Sequence, residues 1–214
     1  MNEIKNIFNS KGHAENYDKK VENRNWCGPE IIFEMVEPYL KPNDNILDFG
    51  IGTGKTSEPF LSSEINIYGM DFSESMLQIC KNKNITQELK IHDLNKTPYP
   101  YISNSMDHII CGGVLHIFED LSPIFIEAAR ILSKKGTFAF TCAHHSNKNC
   151  DTHKYTTRKH MGKNIYIYQH NKKVVEEALI KSGFILQRTV KFKISQSKTE
   201  TSIQEFNAFI ATLG

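Results

Sequence analysis

The stretch Asn45-Ile46-Leu47-Asp48-Phe49-Gly50-Ile51-Gly52-Thr53-Gly54 constrains this chain more than any other part of it. A short apolar run ends in an acid and then breaks into glycines at alternate positions. That pattern predicts a strand running into a tight strand-to-helix turn, because glycine bends the backbone sharply and lets it approach a ligand where a Cβ would clash. Asp48, at the strand end, can accept hydrogen bonds from a cationic or hydroxylated ligand. Asp71 stands about twenty residues beyond Gly50, the spacing at which a second strand ends beside the first and its carboxylate can grip ribose hydroxyls.

Three kinds of nucleotide site use such a turn. Gly54-Lys55-Thr56 reproduces the end of a phosphate-binding loop, but Phe49 occupies the position of its first glycine. A dinucleotide fingerprint needs a third glycine three positions after the second, where this chain has Lys55. A nicotinamide-dependent oxidoreductase therefore stays as a weaker alternative.

The punctuation of the rest predicts an α/β protein. Pro29 suits a first helical turn, and Ile31, Ile32, Met35, Val36 and Tyr39 recur at helical spacing until Lys41-Pro42. A strand at 45–49 is followed by alternation: helix 73–83, strand 89–92, strand 107–111, helix 123–133, strand 137–142. Apolar strands alternating with amphipathic helices give right-handed crossovers and a parallel sheet covered on both faces. Residues 172–182 read as a helix ended by Gly183, and 185–194 and 203–213 as a final pair of strands.

Chemistry enters through motifs spread along this alternation. Ile67-Tyr68-Gly69-Met70-Asp71 ends a second strand and Ser73-Glu74-Ser75-Met76-Leu77 opens the next helix. Asp93 follows a third strand. Met106 to His116 carries a fourth strand with Gly112 and His116 beyond it, and Ala129 to Phe138 a helix, a turn and a fifth strand. In this order and spacing the chain resembles the class I S-adenosylmethionine-dependent methyltransferases, densely over residues 40–142, and within them the ubiquinone-biosynthesis-like small-molecule enzymes. The resemblance implies a Rossmann-like, doubly wound, seven-stranded, mostly parallel sheet closed by a C-terminal antiparallel hairpin. It also implies one methyltransferase domain over 1–214, with 1–40 as an N-terminal helical cap and 143–169 as an insertion after strand five.

S-adenosylmethionine is then the implied cofactor and S-adenosylhomocysteine its product. Its binding residues are expected to be Tyr17, Asp48, Gly50, Gly52, Gly54, Asp71, Phe72, Met76, Asp93, Leu94 and Gly112. Asp71 would take the ribose and Asp93 with Leu94 the adenine, while Gly112 lines the methionine side and Tyr17 comes from the segment folded over the donor. Methyl transfer asks little acid–base chemistry of a protein, since the sulfonium is already activated. A base matters only for a protonated acceptor, and His116 and His170 are the catalytic candidates. The alternative within this family is a catalytically silent binder of the nucleoside that serves as a partner protein.

Charge and cysteine content bound the remaining choices. The net charge of +2 over 214 residues gives no drive toward nucleic acid or anionic membrane. Cys111-Gly112-Gly113-Val114 stands where enzymes that methylate base nitrogens carry an Asn/Asp-Pro-Pro-aromatic turn, so no nucleic acid is expected and a small molecule is the default acceptor. The five cysteines form no CxxC pair and read as reduced thiols of a cytoplasmic protein. No signal peptide or membrane span is read. Residues 144–163 are rich in Lys, Arg and His against one acid, Asp151. They read either as a solvated loop or as a lid for an anionic acceptor. His144, His145, Cys150 and His153 within them match no standard zinc spacing, so no metal is assigned.

Overall fold

A computed structural model describes residues 2–22, 26–145, 154–160, 163–195 and 203–214. Three short helices come first, α1 (Asn2–Phe8), α2 (Lys11–Glu15) and α3 (Tyr17–Glu22), followed by α4 (Gly28–Val36), which has Pro29 in its first turn. Strand β1 (Asn45–Phe49) leads into the glycine turn, and β2 (Asn66–Asp71) is followed by α5 (Glu74–Asn82). The Ser73 hydroxyl caps α5 by accepting from the Met76 N–H at 3.2 Å. Then come β3 (Glu88–Ile91), β4 (Met106–Cys111), α6 (Ser122–Ile131) and β5 (Leu132–Ala143). A hairpin, β6 (Lys154–His160) and β7 (Lys163–Gln169), precedes α7 (Lys172–Lys181) and the long pair β8 (Phe184–Ser195) and β9 (Ile203–Leu213).

The seven-stranded sheet runs β3-β2-β1-β4-β5-β9-β8. Strands β3 to β5 pair in parallel, whereas β9 is antiparallel to both β5 and β8. The chain thus steps outward from β1 to β2 and β3, then returns to the other side of β1 for β4. That reversal leaves a crevice beyond the carboxyl ends of β1 and β4, the place where open α/β sheets bind ligands.

Side-chain alternation explains the two layers. Leu47 and Phe49 face one side of β1, with Phe138, Phe140, Phe209 and helices α6 and α7; Ile46 faces the other, with Ile67, Ile110, Ala208 and α4. On the first side Phe125, Phe138, Phe140 and Phe209 form a chain of ring contacts with centroids 4.7–5.5 Å apart.

Two departures from the sequence reading matter for the site. No α-helix follows the glycine turn: the backbone makes irregular turns and then a 3-10 helix at Glu58–Ser62. Pro59 sits in the first turn of that 3-10 helix. The segment after β5, which has no counterpart in the minimal sheet, forms the separate two-stranded β6–β7 sheet. It attaches through a bridge between His144 and His170 and packs on α1 and on the 3-10 turn Leu115–Ile117. Residues 146–153, with Cys150 and His153, lie outside the described residues.

Candidate functional site

A cavity opens at the sheet's switch point, with about 920 Å³ of empty space counting the solvent at its mouth. Its floor is the glycine turn. The three glycines there all have positive φ, but they differ in what surrounds them. A Cβ on Gly50 would lie 2.7 Å from Val114, and one on Gly54 2.7 Å from Ile85, so both are packing glycines. A Cβ on Gly52 would meet nothing closer than Gly50 O at 3.9 Å and Asp71 Oδ2 at 4.0 Å. Only Gly52 holds its space open toward the void.

Asp71 is fixed beside it. The Gly52 N–H donates to Asp71 Oδ2 at 3.0 Å, and the Ser73 N–H to Oδ1 at 2.8 Å. Burial raises the Asp71 pKa to about 6 against the opposing pull of these backbone donors. Asp48 lies one layer deeper. Its Oδ2 accepts from the Ser57 hydroxyl at 2.8 Å, while its Oδ1 is buried without a hydrogen-bond partner among the described residues. Burial first, and the nearby Asp71 charge after it, push the Asp48 pKa to about 7 against the Ser57 hydrogen bond.

The walls come from every motif region. Phe72 and Met76 follow β2; Asp93 and Leu94 follow β3; Gly112 and His116 follow β4; and Tyr17 reaches in from α3. With Gly50, Gly52 and Asp71, these make ten of the expected site residues in one cavity wall. Three expected residues are not in that wall. Asp48 sits beneath the turn, Gly54 packs on Ile85 and Cys80, and His170 is buried with its Nε2 3.1 Å from the Phe118 carbonyl oxygen. His170, expected as a base, thus stands apart from the cavity wall, at the end of β7 where its backbone N–H donates to the Ala143 carbonyl oxygen of β5 at 2.8 Å. Gly112 lines the cavity, yet its missing Cβ is demanded by Thr56, whose Oγ1 would lie 2.3 Å away.

The sequence reading missed most of the cap's contribution. Lys5 and Phe8 of α1 reach the cavity, and the Lys5 ammonium pairs with Asp93 Oδ2. Burial would raise the Asp93 pKa, but hydrogen bonds from Lys5 and Asn95 outweigh it and leave the carboxyl below its ordinary value. Serine hydroxyls at the start of α5 hold the α1 end: Ser73 donates to Phe8 O at 2.7 Å and Ser75 to Asn9 O at 2.8 Å. Farther along, α3 clamps the glycine turn itself. Asp18 accepts from the Thr53 hydroxyl at 2.6 Å and from Lys83 at 2.8 Å, and Lys83 also pairs with Glu58 at 2.7 Å. These charges stand in for the missing helix after β1. A polar N-terminal stretch carries no motif that would reveal such contacts in advance.

The unpaired, buried Oδ1 of Asp48, the open space over Gly52 and the carboxylate of Asp71 fit a ligand with hydroxyl and cationic groups on a nucleoside. Residues 47–140 match the family model of the methyltransferase domain. An uncharacterized chloroplastic methyltransferase of Arabidopsis thaliana is 33% identical over 125 residues, covering 53% of this chain and 35% of its own length. A demethylmenaquinone methyltransferase of Bacillus mycoides is 30% identical, covering 45% of this chain and 44% of its own. The chain thus spans less than half the length of these two relatives. Among solved structures, the magnesium protoporphyrin IX methyltransferase of Synechocystis with bound S-adenosylhomocysteine superposes with a TM-score of 0.71 at 16% identity, over 99% of this chain and 98% of that one. A Clostridium acetobutylicum S-adenosylmethionine-dependent methyltransferase gives 0.65 at 17% identity, over 87% and 91%.

Residues 47–140 thus carry the match to the methyltransferase domain, and the sheet shares the fold of the solved S-adenosylmethionine-dependent methyltransferases. No helix among the described residues is long and apolar enough to cross a membrane.

Proposed function

We propose that this chain binds S-adenosylmethionine in the cavity above Gly52 and catalyses transfer of its methyl group to a small-molecule acceptor by direct displacement. The observation that carries the proposal is the Gly52–Asp71 arrangement, an open glycine beside a doubly anchored carboxylate, at the switch point of the sheet. When bound, S-adenosylmethionine supplies an already activated methyl group.

The chain's own residues then divide the remaining work. Asp71 accepts hydrogen bonds from the ribose hydroxyls, with its orientation set by the Gly52 and Ser73 N–H groups. Asp93 and Leu94 flank the base, and Phe72 and Met76 pack on the nucleoside. Asp48 complements a positive charge above the turn, and the empty acceptor capacity of its Oδ1 suits that role. The cap, with Tyr17 and Phe8, closes over the ligand and excludes water, which strengthens each of these interactions. His116 lines the cavity and is the proposed base for an acceptor that arrives protonated.

We read residues 1–214 as one methyltransferase domain, with 1–40 as its helical cap and 143–169 as an insertion, in a cytoplasmic protein. Among the described residues Cys27, Cys80, Cys111 and Cys142 are free thiols. Calorimetry with S-adenosylhomocysteine and with NAD tests the donor: micromolar binding of the first, about −8 kcal/mol, is expected, without comparable binding of the second. A screen with labelled S-adenosylmethionine tests the transfer. Binding without any transfer across acceptor classes would point to the silent partner protein instead.

A further inference from the structure

The donor motifs account for one part of the cavity wall and leave another, made by Trp26, Val114, His116, Ile117 and Phe118. This second part is apolar except for one imidazole. It is also rigid. The Trp26 ring lies over Gly28, where a Cβ would come within 2.4 Å of it, and beside Gly113, where a Cβ would come within 3.3 Å. It packs edge-on to Phe206 at 5.0 Å, and Phe206 in turn stacks on Phe192 at 5.6 Å and meets the His116 ring edge-on at 6.1 Å. Rings from β8 and β9 thus hold the indole in place.

The charges around the cavity point the same way. Its two lysines are already paired: Lys5 with Asp93, and Lys55 with Glu58 at 3.0 Å and Glu22 at 3.3 Å. Asp71 stands in the wall and Asp48 behind it. Among the described residues no lysine or arginine in the wall is left to meet an anion, and two of the histidines expected to give the insertion its charge lie inward, His145 buried and His144 half-buried. A carboxylate or phosphate entering here would lose its hydration without a counter-charge.

We infer that the acceptor end of this cavity takes an uncharged molecule with a flat aromatic ring, seated against Trp26 and the Val114–Phe118 turn, and not the anionic acceptor that the basic insertion suggests. The inference rests on the reading of the glycine side as the donor site. Trp26 is the chain's single tryptophan, so its fluorescence reports on this end of the cavity directly.

The test uses two probes with the same ring and different charge, 1-naphthol and 1-naphthoate, titrated into the protein saturated with S-adenosylhomocysteine and followed by calorimetry and Trp26 quenching. The expected result is that 1-naphthol binds at least tenfold tighter than 1-naphthoate and quenches Trp26. Ile117→Arg, which adds a cation to the wall, should reverse that order. Equal or tighter binding of 1-naphthoate by the unaltered protein would overturn the inference. So would binding of neither probe, or 1-naphthol binding that neither quenches Trp26 nor responds to Ile117→Arg. Absence of S-adenosylhomocysteine binding in the first step would instead overturn the donor reading, which keeps the two failures apart.

Discussion

The stretch 45–142 and the cap that precedes it build one cavity by different means. In the first, each expected ligand-facing residue stands at or just beyond a strand end, so the sheet itself delivers Gly52, Asp71, Asp93 and Gly112 to the switch point. In the second, Lys5, Phe8, Tyr17 and Trp26 reach the same space from short helices and a loop. Those elements are held by scattered hydrogen bonds and ion pairs: Ser73 and Ser75 to α1, Thr53 and Lys83 to α3. The core therefore sets where a ligand can bind, and the cap sets how tightly the site closes. Changes in the core should abolish binding, whereas changes in the cap should tune it.

The largest effect is expected at Gly52. A valine there would be β-branched at φ +55° and would fill the space between Gly50 O and Asp71 Oδ2. Gly52→Val should weaken S-adenosylhomocysteine binding more than a hundredfold, about 3 kcal/mol or more, with the circular dichroism spectrum retained. A folded variant with normal affinity would move the ligand away from the glycine turn and erase the core's claimed role.

Asp71 should come next. Asp71→Ala removes two charge-assisted acceptors and should cost on the order of 2–3 kcal/mol of affinity in calorimetry. Its pKa of about 6 adds a pH signature. Ligand hydroxyls donate to the ionised carboxylate, so affinity should rise as pH increases from 5 toward 7 and level off above. Asp71→Asn should flatten that profile. A profile equally steep in both proteins would assign the titration elsewhere.

Legibility in the sequence follows the same division. Residues 45–54 disclose their structure because local chemistry allows few alternatives: an apolar strand, an acid, then glycines. The spacing to Asp71 and Asp93 discloses the sheet, since parallel strands with crossovers repeat at regular intervals. What stayed hidden depends on contacts distant in sequence. The Thr53–Asp18 and Lys83–Glu58 bonds join residues 35 and 25 positions apart, and no periodicity marks them. His170 reads as a site residue because Tyr166 to Asn171, before a helix, resembles a stretch at that place in some relatives. The bridge between His144 and His170, and the contact of the buried ring with the Phe118 carbonyl oxygen, are visible only in the structure. The glycine pattern argues for a helix after Gly54, where the chain instead makes irregular turns and a 3-10 helix.

Asp48 offers an intermediate effect, read in stability instead of affinity. Its folded pKa of about 7 lies above the ordinary 3.8, so the folded state holds this proton more tightly than the unfolded one. Stability from that difference is fully present below pH 3.8 and is lost as pH rises toward 7, with Asp71 acting in the same direction. Asp48→Asn keeps an acceptor for Ser57 and removes the buried charge. At pH 8 it should raise stability by about 1–3 kcal/mol in urea titrations while weakening donor binding, a trade found where a site is built at the expense of the fold. Loss of stability at pH 8 would mean that the ionised carboxylate is held by partners other than Ser57.

The smallest effect separates two meanings of the Lys5–Asp93 pair. The two side chains are 29% and 11% exposed, so the pair is near the surface and contributes no more than about 1 kcal/mol. If Lys5 holds α1 down as a cover over a bound nucleoside, Lys5→Met should weaken S-adenosylhomocysteine binding two- to fivefold, mainly through faster dissociation. If Lys5 instead competes with the ligand for Asp93, the same substitution should tighten binding. The hydrogen bonds from Ser73 and Ser75 anchor the α1 end independently of Lys5, which keeps either effect small. Salt provides the control: the Debye length falls to about 3 Å at 1 M, so the difference between the two proteins should shrink there. A salt-independent difference would mean that the lysine stem covers the ligand by packing, and that the cap tunes the site through contact area instead of charge.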